Sequence, residues 1–288
     1  PAQPIGIRIP CPSPGADIDP ARIAIKAEAL GFDSIWYPEH AVMPVSTTAT
    51  FTWSGSEDGS IPPAYGTFVD PLIALSRASA VTTKLLLGTG IVLVPEHNPF
   101  LLAKQTATLD RMSNGRLLFG VGGGWHPEQS ALMGGDFPRR WRQTKEAMTL
   151  IKKLWTEETT TFEGEYYQCP AVISRPKPAQ NPHPPVLLGG EHERVYQRVA
   201  AWGNGWLPSD IGPEVVEYGK RQLDQWAVRY GRKPDELETT VYYVPPNPKD
   251  VRAMFDAGAD RVVVKREVSA ASTEDAENEL EDIADRLL

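Results

Sequence analysis

The sequence predicts an α/β protein built as a closed (β/α)8 barrel. Short apolar segments alternate with amphipathic helical segments eight times along the 288 residues. The apolar segment 85–94 has a single polar side chain, Thr89, which is typical of a parallel strand covered on both faces. Strict alternation of eight strands with eight helices favours a closed barrel, and an open doubly wound sheet is the alternative.

The individual elements follow from local signals. The helix-opening pairs Asp19-Pro20, Asp70-Pro71 and Asn98-Pro99 each supply a capping side chain and a first-turn proline, and Gly31 ends the first helix. Ser272 and Asp275 form a capping box for the last helix. The expected strands are 5–10, 34–39, 85–94, 116–121, 185–188, 205–207, 238–244 and 261–264, and the remaining helices are one after Pro138 and those at 192–202, 213–230 and 249–257.

Two insertions interrupt this alternation within what we expect to be a single domain, 1–288. Segment 41–68 follows the second strand, so it lies at the carboxyl face of the barrel, where a substrate lid would be placed. A disordered surface insertion is the alternative. Segment 156–184 precedes the fifth strand and includes a predicted hairpin at 161–167, with a stabilising or oligomer-contact role expected.

Composition and charge argue against several classes of protein. The net charge of −8 argues against a nucleic-acid partner, and the longest apolar run is about half a membrane span. Cys11 and Cys169 fit a reduced compartment better than a disulfide framework, and residues 1–10 lack the pattern of a signal peptide. We therefore expect a soluble, cytoplasmic protein without a membrane partner.

One histidine and two glycine turns occupy the expected strand ends. His40 follows the apolar run 34–37, and glycines punctuate 85–94 and 116–124. This combination suggests a flat ring held by backbone and one polar side chain. Acid and histidine neighbours also occur at 39–40, 126–128 and 191–193, but isolated pairs rarely hold a metal, and no metal site is expected.

Several of these segments together resemble the bacterial luciferase-like monooxygenase family. They are 31–40, 87–91, 105–124, 185–190 and 203–206. The resemblance covers most of 5–210, whereas the last third matches mainly in its barrel rhythm. It implies a TIM barrel that binds FMN or the deazaflavin coenzyme F420, often as a homodimer. The second-strand and fourth-strand motifs are more similar to the F420-dependent oxidoreductase branch.

The resemblance also implies roles for four residues near the reactive ring. Gly90 and Ile91 match a bulge with a non-proline cis peptide behind the ring, and an ordinary trans strand with a close-packing glycine is the alternative. His40 matches a proton relay, and Glu39 would orient it or bond the polar edge of the ring. A strand-end histidine with satisfied hydrogen bonds is the alternative for His40.

Further positions match the places where relatives bind the rest of the coenzyme. Glycines after the fourth and fifth strands let the coenzyme's chain lie close to the backbone, and the start of the helix after the fifth strand suits the coenzyme's phosphate. Trp125 stands where relatives that oxidise a sugar phosphate carry glutamate, so a bulkier apolar substrate is expected. The alternative is that Trp125 and the aromatic residues of the insertion only pack the lid. The coenzyme positions are Gly123, Gly124, Glu128, Gly189, Gly190, Glu191, His192 and Arg194, and those of the substrate pocket are Trp53 and Trp125.

Three functions remain open at the level of sequence. The first is an F420-dependent oxidoreductase that moves a hydride between the coenzyme and a small organic substrate, with His40 as proton relay. The second is an FMN-dependent monooxygenase that uses reduced flavin and O2. The third is a non-catalytic flavin-binding barrel. A separate flavin or F420 reductase is a possible partner of either enzyme.

Overall fold

The computed structural model describes residues 3–9, 17–52, 58–265 and 270–288, and eight parallel strand positions in it close into a barrel. The strands are β1 (Ile5–Arg8), β2 (Ser34–Tyr37), β3 (Leu86–Thr89), β4 (Val92–Leu93), β5 (Leu117–Gly122), β6 (Thr160–Glu163), β7 (Gln168–Val172), β8 (Val186–Gly189), β9 (Gly205–Leu207), β10 (Glu238–Val244) and β11 (Arg261–Val264). The pair β6 and β7 forms a separate antiparallel hairpin, close to the hairpin predicted at 161–167.

Closure of the barrel is visible in its strand register. Leu87 of β3 lies opposite Leu117 of β5, and Ile5 of β1 lies opposite Val262 of β11. Since all barrel strands are parallel, their carboxyl ends meet at one rim, and the loops that follow them converge there. The predicted TIM barrel, with insertions after the second and before the fifth barrel strand, is therefore confirmed.

The helices cover the outside of the barrel. Asp19, Asp70 and Asn98 each accept a hydrogen bond from a backbone N–H in the first helical turn, as the capping signals predict. Gly31 ends the first helix with a φ of 96°. The described helices are α1 (Pro20–Leu30), α2 (Pro71–Ser79), α3 (Pro99–Met112), α4 (Pro127–Leu132), α5 (Arg140–Thr156), α6 (Arg194–Trp202), α7 (Pro213–Arg229), α8 (Pro248–Asp256) and α9 (Thr273–Leu287).

The inside of the barrel is filled by its own small apolar core. Trp36 is fully buried there and donates its indole N–H to Ser34 Oγ at 2.8 Å. A Cβ atom at Gly88 would lie 2.2 Å from Trp36 Cδ2, so glycine is the residue that leaves room for the indole. This core consists of Trp36, Leu118, Leu187, Leu207, Tyr242 and Val263. It closes the barrel below the rim and leaves the functional space above it.

Two local predictions need correction. The strand predicted at 85–94 is interrupted after Thr89, because the chain turns at Gly90 and Ile91 before β4 and a short 3-10 helix, Val94–Glu96. The short helix α4 was not predicted. It begins after His126, whose side chain accepts from the Gln129 N–H. A histidine cap on a six-residue helix carries too weak a local signal to be read from sequence.

Candidate active site

A pocket of about 330 Å³ opens at the carboxyl rim of the barrel. It is bounded by the segments that follow β2, β3, β5, β8 and β9, by the ends of β1 and β10, and by the first part of α5 and of α6. The wall includes eleven of the predicted site residues: Glu39, His40, Gly90, Ile91, Gly123, Gly124, Trp125, Gly189, Gly190, Glu191 and His192. Residues from distant parts of the sequence are therefore brought to one cavity.

His40 lies in the pocket wall just after β2. Its Nδ1 is 2.7 Å from Gln129 Oε1, and its Nε2 accepts from the Trp125 indole N–H at 3.3 Å. The rings of Tyr65 and Phe68 lie 5.3 and 5.4 Å from the imidazole. Both ring nitrogens are thus placed by contacts, and aromatic surface encloses the rest of the ring.

This environment changes the acid–base behaviour of His40. The pKa of His40 is lowered from 6.5 to about 4, chiefly by burial; the hydrogen bond to Gln129 partly opposes this shift, and nearby His126 adds to it. The imidazole is therefore neutral at pH 7. A neutral imidazole in a pocket is equipped to accept a proton.

Glu39 makes its hydrogen bonds with Leu93 and His97, and the hydrogen bonds of the His40 ring are to Gln129 and Trp125. The Glu39 carboxylate accepts from the Leu93 N–H at 2.7 Å and contacts His97 Nε2 at 2.9 Å. Burial alone would lower the pKa of His97, but the hydrogen bond and charge of Glu39 outweigh it, and the pKa is raised. Glu39 therefore anchors the segment that follows Gly90 and Ile91.

The floor of the pocket is formed by backbone and one aliphatic side chain. The Gly90–Ile91 peptide bond is cis, in agreement with the bulge that the resemblance implies. The Ile91 side chain lies across neighbouring strands, where a Cβ at Gly122 would be 2.1 Å from Ile91 Cδ1. Gly190 has a φ of 121°, a conformation that residues with a side chain rarely adopt. A flat molecule can therefore approach the backbone closely here.

Two arginines that were not predicted line the pocket beside the Gly189 and Gly190 turn. Arg198 stacks on Trp141 with its Cζ 4.4 Å from the ring centroid, and Arg140 stacks on Phe137 at 4.2 Å. Burial lowers the pKa of both guanidinium groups. Among the described residues, neither has a carboxylate within 4.0 Å, and Arg140 Nε is buried without a hydrogen bond. This end of the pocket is suited to an anion.

The structure places Glu128 and Arg194 outside the pocket wall. Glu128 accepts from the Thr48 N–H at 2.8 Å and from the hydroxyls of Thr47 and Thr48, and these bonds, the Thr48 N–H foremost, lower its pKa to about 2. It thereby ties the insertion after β2 to α4. Arg194 is exposed, and its backbone N–H donates to His192 Nδ1 at 3.2 Å. Their expected coenzyme contacts remain predictions.

The mouth of the pocket is aromatic. Phe51, Tyr65 and Trp125 pack edge to face, with centroids 5.0 Å apart for Phe51 and Tyr65 and 5.9 Å apart for Phe51 and Trp125. Phe51 is buried although it belongs to the insertion, so this part of the insertion is packed over the pocket, as the lid prediction requires. Trp53, the other predicted pocket residue, lies outside the described residues.

Within the residues that the structure describes, each helix is too short or too polar to cross a bilayer. Over the same residues, no three histidine, cysteine or acidic side chains converge as metal ligands.

Comparison with known proteins identifies the family. The chain is 36% identical over 212 residues to an uncharacterized protein of Mycobacterium tuberculosis, covering 73% of this chain and 74% of that protein. It is 31% identical over 226 residues to the F420-dependent glucose-6-phosphate dehydrogenase of Kineococcus radiotolerans, covering 77% of this chain and 55% of that protein. The fold matches the crystal structure of the monooxygenase RslO1 from Streptomyces bottropensis, with a TM-score of 0.78 and 20% identity over 99% of this chain and 98% of that one. Residues 18–284 match the luciferase-like monooxygenase family. The chain therefore belongs to the luciferase-like monooxygenase family.

Proposed function

We propose that this protein is an F420-dependent oxidoreductase that moves a hydride between the deazaflavin and an apolar organic substrate. The observation that carries the proposal is the His40 imidazole, held between Gln129 and Trp125 in the wall of a pocket whose floor is glycine backbone. The similarity to an F420-dependent dehydrogenase supports the choice of coenzyme. The description of the chain as one domain, active as a homodimer in the cytoplasm, is part of the same proposal.

The residues present fit such a coenzyme. The glycine turns after β5 and β8 leave the backbone accessible to a flat ring and its attached chain, and Arg140 and Arg198 supply positive charge for the phosphate. When bound, the coenzyme supplies a two-electron hydride donor or acceptor. Glu191 and His192, at the mouth beside the arginines, would border its acidic tail.

The proton is assigned to His40. Oxidation of the substrate by hydride transfer leaves one proton to be taken from the substrate, and a neutral imidazole accepts it at pH 7; in the reverse direction the protonated imidazole returns it. Glu39 contributes indirectly, since its bonds to Leu93 and His97 hold the segment that follows Gly90 and Ile91 in the pocket floor.

The substrate is proposed to be apolar and larger than a sugar. Phe51, Tyr65, Phe68 and Trp125 line the mouth next to His40, and aromatic faces favour apolar or ring-bearing molecules. Trp125 occupies the position where sugar-phosphate oxidising relatives carry glutamate. The Trp125 side chain is bulkier than glutamate and has no carboxylate, and its indole N–H donates to His40.

Equilibrium binding of F420 and of FMN, followed by fluorescence quenching at matched salt, tests this function. We expect micromolar or tighter binding of F420 and weak binding of FMN. Arg198→Met should weaken F420 binding roughly 10-fold, since it removes a charged hydrogen-bond donor. The matched control is Arg229→Met, because Arg229 stacks on Trp226 at 4.7 Å away from the pocket. A preference for FMN would overturn the proposal in favour of an oxygen-using monooxygenase. Tight binding without turnover in a substrate screen would favour a non-catalytic barrel.

A further inference from the structure

A buried glutamine connects the pocket histidine to a buried acid. Gln129 is fully buried on α4, with its Oε1 2.7 Å from His40 Nδ1. Its Nε2 donates to Glu96 Oε2 at 2.7 Å. Glu96 is only 6% exposed and belongs to the 3-10 helix after β4. The three side chains form one chain of hydrogen bonds behind the pocket wall.

The direction of each hydrogen bond follows from the chemistry of its ends. The Glu96 oxygen accepts, so the amide nitrogen of Gln129 points to Glu96 and its amide oxygen points to His40. An amide oxygen only accepts, and His40 Nδ1 must therefore carry the hydrogen. No alternative orientation of the amide satisfies both neighbours while Glu96 is ionised.

The other side of the imidazole leads independently to the same assignment. The Trp125 indole N–H can only donate, and it lies 3.3 Å from His40 Nε2. Nε2 must then offer its lone pair. A neutral imidazole carries one N–H, so both contacts select the tautomer with hydrogen on Nδ1. The bond from Trp125 is long, and a substrate donor at the pocket mouth can replace it.

We propose that Gln129 and Glu96 are positioning residues that hold His40 in the Nδ1–H tautomer, so that Nε2 acts as the proton acceptor. The proposal rests on the proposed function. When a hydride leaves the substrate carbon for the oxidised coenzyme, Nε2 takes the accompanying proton, and the substrate loses two electrons and two hydrogens in total. The catalytic contact is made by His40, and Gln129 and Glu96 act only through it.

The tautomer is measurable in the unliganded protein by long-range proton–nitrogen NMR correlation of 15N-histidine-labelled samples. The chain has five histidines, and His40→Asn assigns the relevant signals. At pH 8, where Glu96 is ionised, we expect hydrogen on Nδ1 in the wild type. Gln129→Met, which keeps the shape of the side chain but removes both hydrogen bonds, should lower the Nδ1–H population. Gln129→Glu, which shares one proton with Glu96 and keeps an acceptor oxygen at Nδ1, should recover it.

The matched control is Gln143→Met. Gln143 is also buried and also makes two hydrogen bonds, to the Asp136 N–H and to the Tyr167 hydroxyl, on another helix. It should leave the His40 tautomer unchanged. Hydrogen on Nε2 in the wild type, or a tautomer that does not respond to Gln129→Met, would overturn the inference. Should Gln129→Met fail to fold, the wild-type assignment and Gln129→Glu still decide it.

Failure of the proposed function is separable from failure of this inference. The NMR measurement needs neither coenzyme nor substrate, so absent F420 binding leaves its result intact. With F420 and a substrate in hand, Gln129→Met should reduce kcat roughly 10-fold or more while the F420 Kd stays unchanged. A changed Kd with unchanged kcat would contradict a positioning role.

Discussion

Individual residues in this pocket differ from their exposed counterparts because burial changes their proton affinities. Burial raises the pKa of Glu96 to about 7, the negative charge of Glu39 adds to the effect, and the bond from Gln129 and the charge of His97 oppose it. Burial shifts His40 in the opposite sense, since its charged form is the protonated one. Burial therefore disfavours the charged form of both residues: His40 is neutral at pH 7, and Glu96 becomes ionised as the pH rises through 7.

The first prediction follows from the raised pKa of Glu96. The folded state binds a proton more tightly than the unfolded state, so this stability is fully present below pH 4.5 and is lost as the pH rises through 7. The shift corresponds to about 3 kcal/mol at 1.36 kcal/mol per pKa unit. Glu96→Gln, which cannot ionise, should therefore gain about this much free energy of unfolding relative to the wild type between pH 4.5 and pH 8.

Urea unfolding of both proteins across this range measures the difference. Glu28→Gln provides a control of opposite sign. Burial raises the pKa of Glu28, but the bonds from the N–H groups of Leu85, Lys84 and Thr83 outweigh it and lower the pKa overall. Because a lowered pKa gives stability that is fully present above pH 4.5, Glu28→Gln should be less stable than the wild type by an amount that stays constant between pH 4.5 and pH 8. A pH-independent effect of Glu96→Gln would show that Glu96 titrates normally.

At the scale of elements, the pocket is assembled from loops whose positions depend on a few side-chain contacts. The insertion after β2 meets α4 through Glu128, and the segment after β3 meets β2 through Glu39. Neither contact involves a regular strand or helix pairing. The shape of the pocket mouth therefore depends more on individual carboxylates than the shape of the barrel does.

The second prediction concerns the anchor of the insertion. Glu128→Gln keeps the size of the side chain but replaces one acceptor oxygen, so the bonds to Thr47 and Thr48 cannot all form. Amide hydrogen exchange at Thr48 should become roughly two- to fivefold faster, because an exposed interaction of this kind contributes little. Glu217→Gln, which removes an exposed pairing with Arg221 on α7, is the control and should leave this exchange rate unchanged. An unaltered rate at Thr48 in Glu128→Gln would mean that other contacts hold the insertion.

Residues that stabilise the molecule and residues that form the pocket lie at different levels along the barrel axis. Below the rim, the barrel interior is closed by Trp36 and its neighbours, whereas the rim carries the polar and charged side chains. This division is general for the fold, in which the carboxyl ends of the strands carry the chemistry. Changes in the interior should therefore affect the stability of the entire barrel.

The third prediction tests this division. Gly88→Ala places a methyl group into the space of the Trp36 ring and should cost about 1–3 kcal/mol of unfolding free energy. Gly66→Ala is the control, because a Cβ at this exposed glycine meets nothing within 4 Å. Thermal or urea unfolding compares them. Equal stability of the two variants would show that the interior relaxes without cost.

Several features of the site were predictable because their signals are local. His40 and Gly90 follow apolar strand runs directly, and a parallel barrel brings all such strand ends to one rim. Arg140 and Arg198 were not predicted, since each is one of many arginines on amphipathic helices. Only packing against Phe137 and Trp141 turns them toward the pocket.

The sequence by itself determined the order of the eight barrel strand positions, the family and the segments that carry the chemistry. Capping residues, prolines and apolar periodicity act over a few residues, and they can be recognised without the fold. The tertiary structure alone decided which side chains meet. His40 and Gln129 are 89 residues apart, and Glu96 approaches Gln129 across 33. Contacts at such separations depend on barrel closure, and no local pattern encodes them.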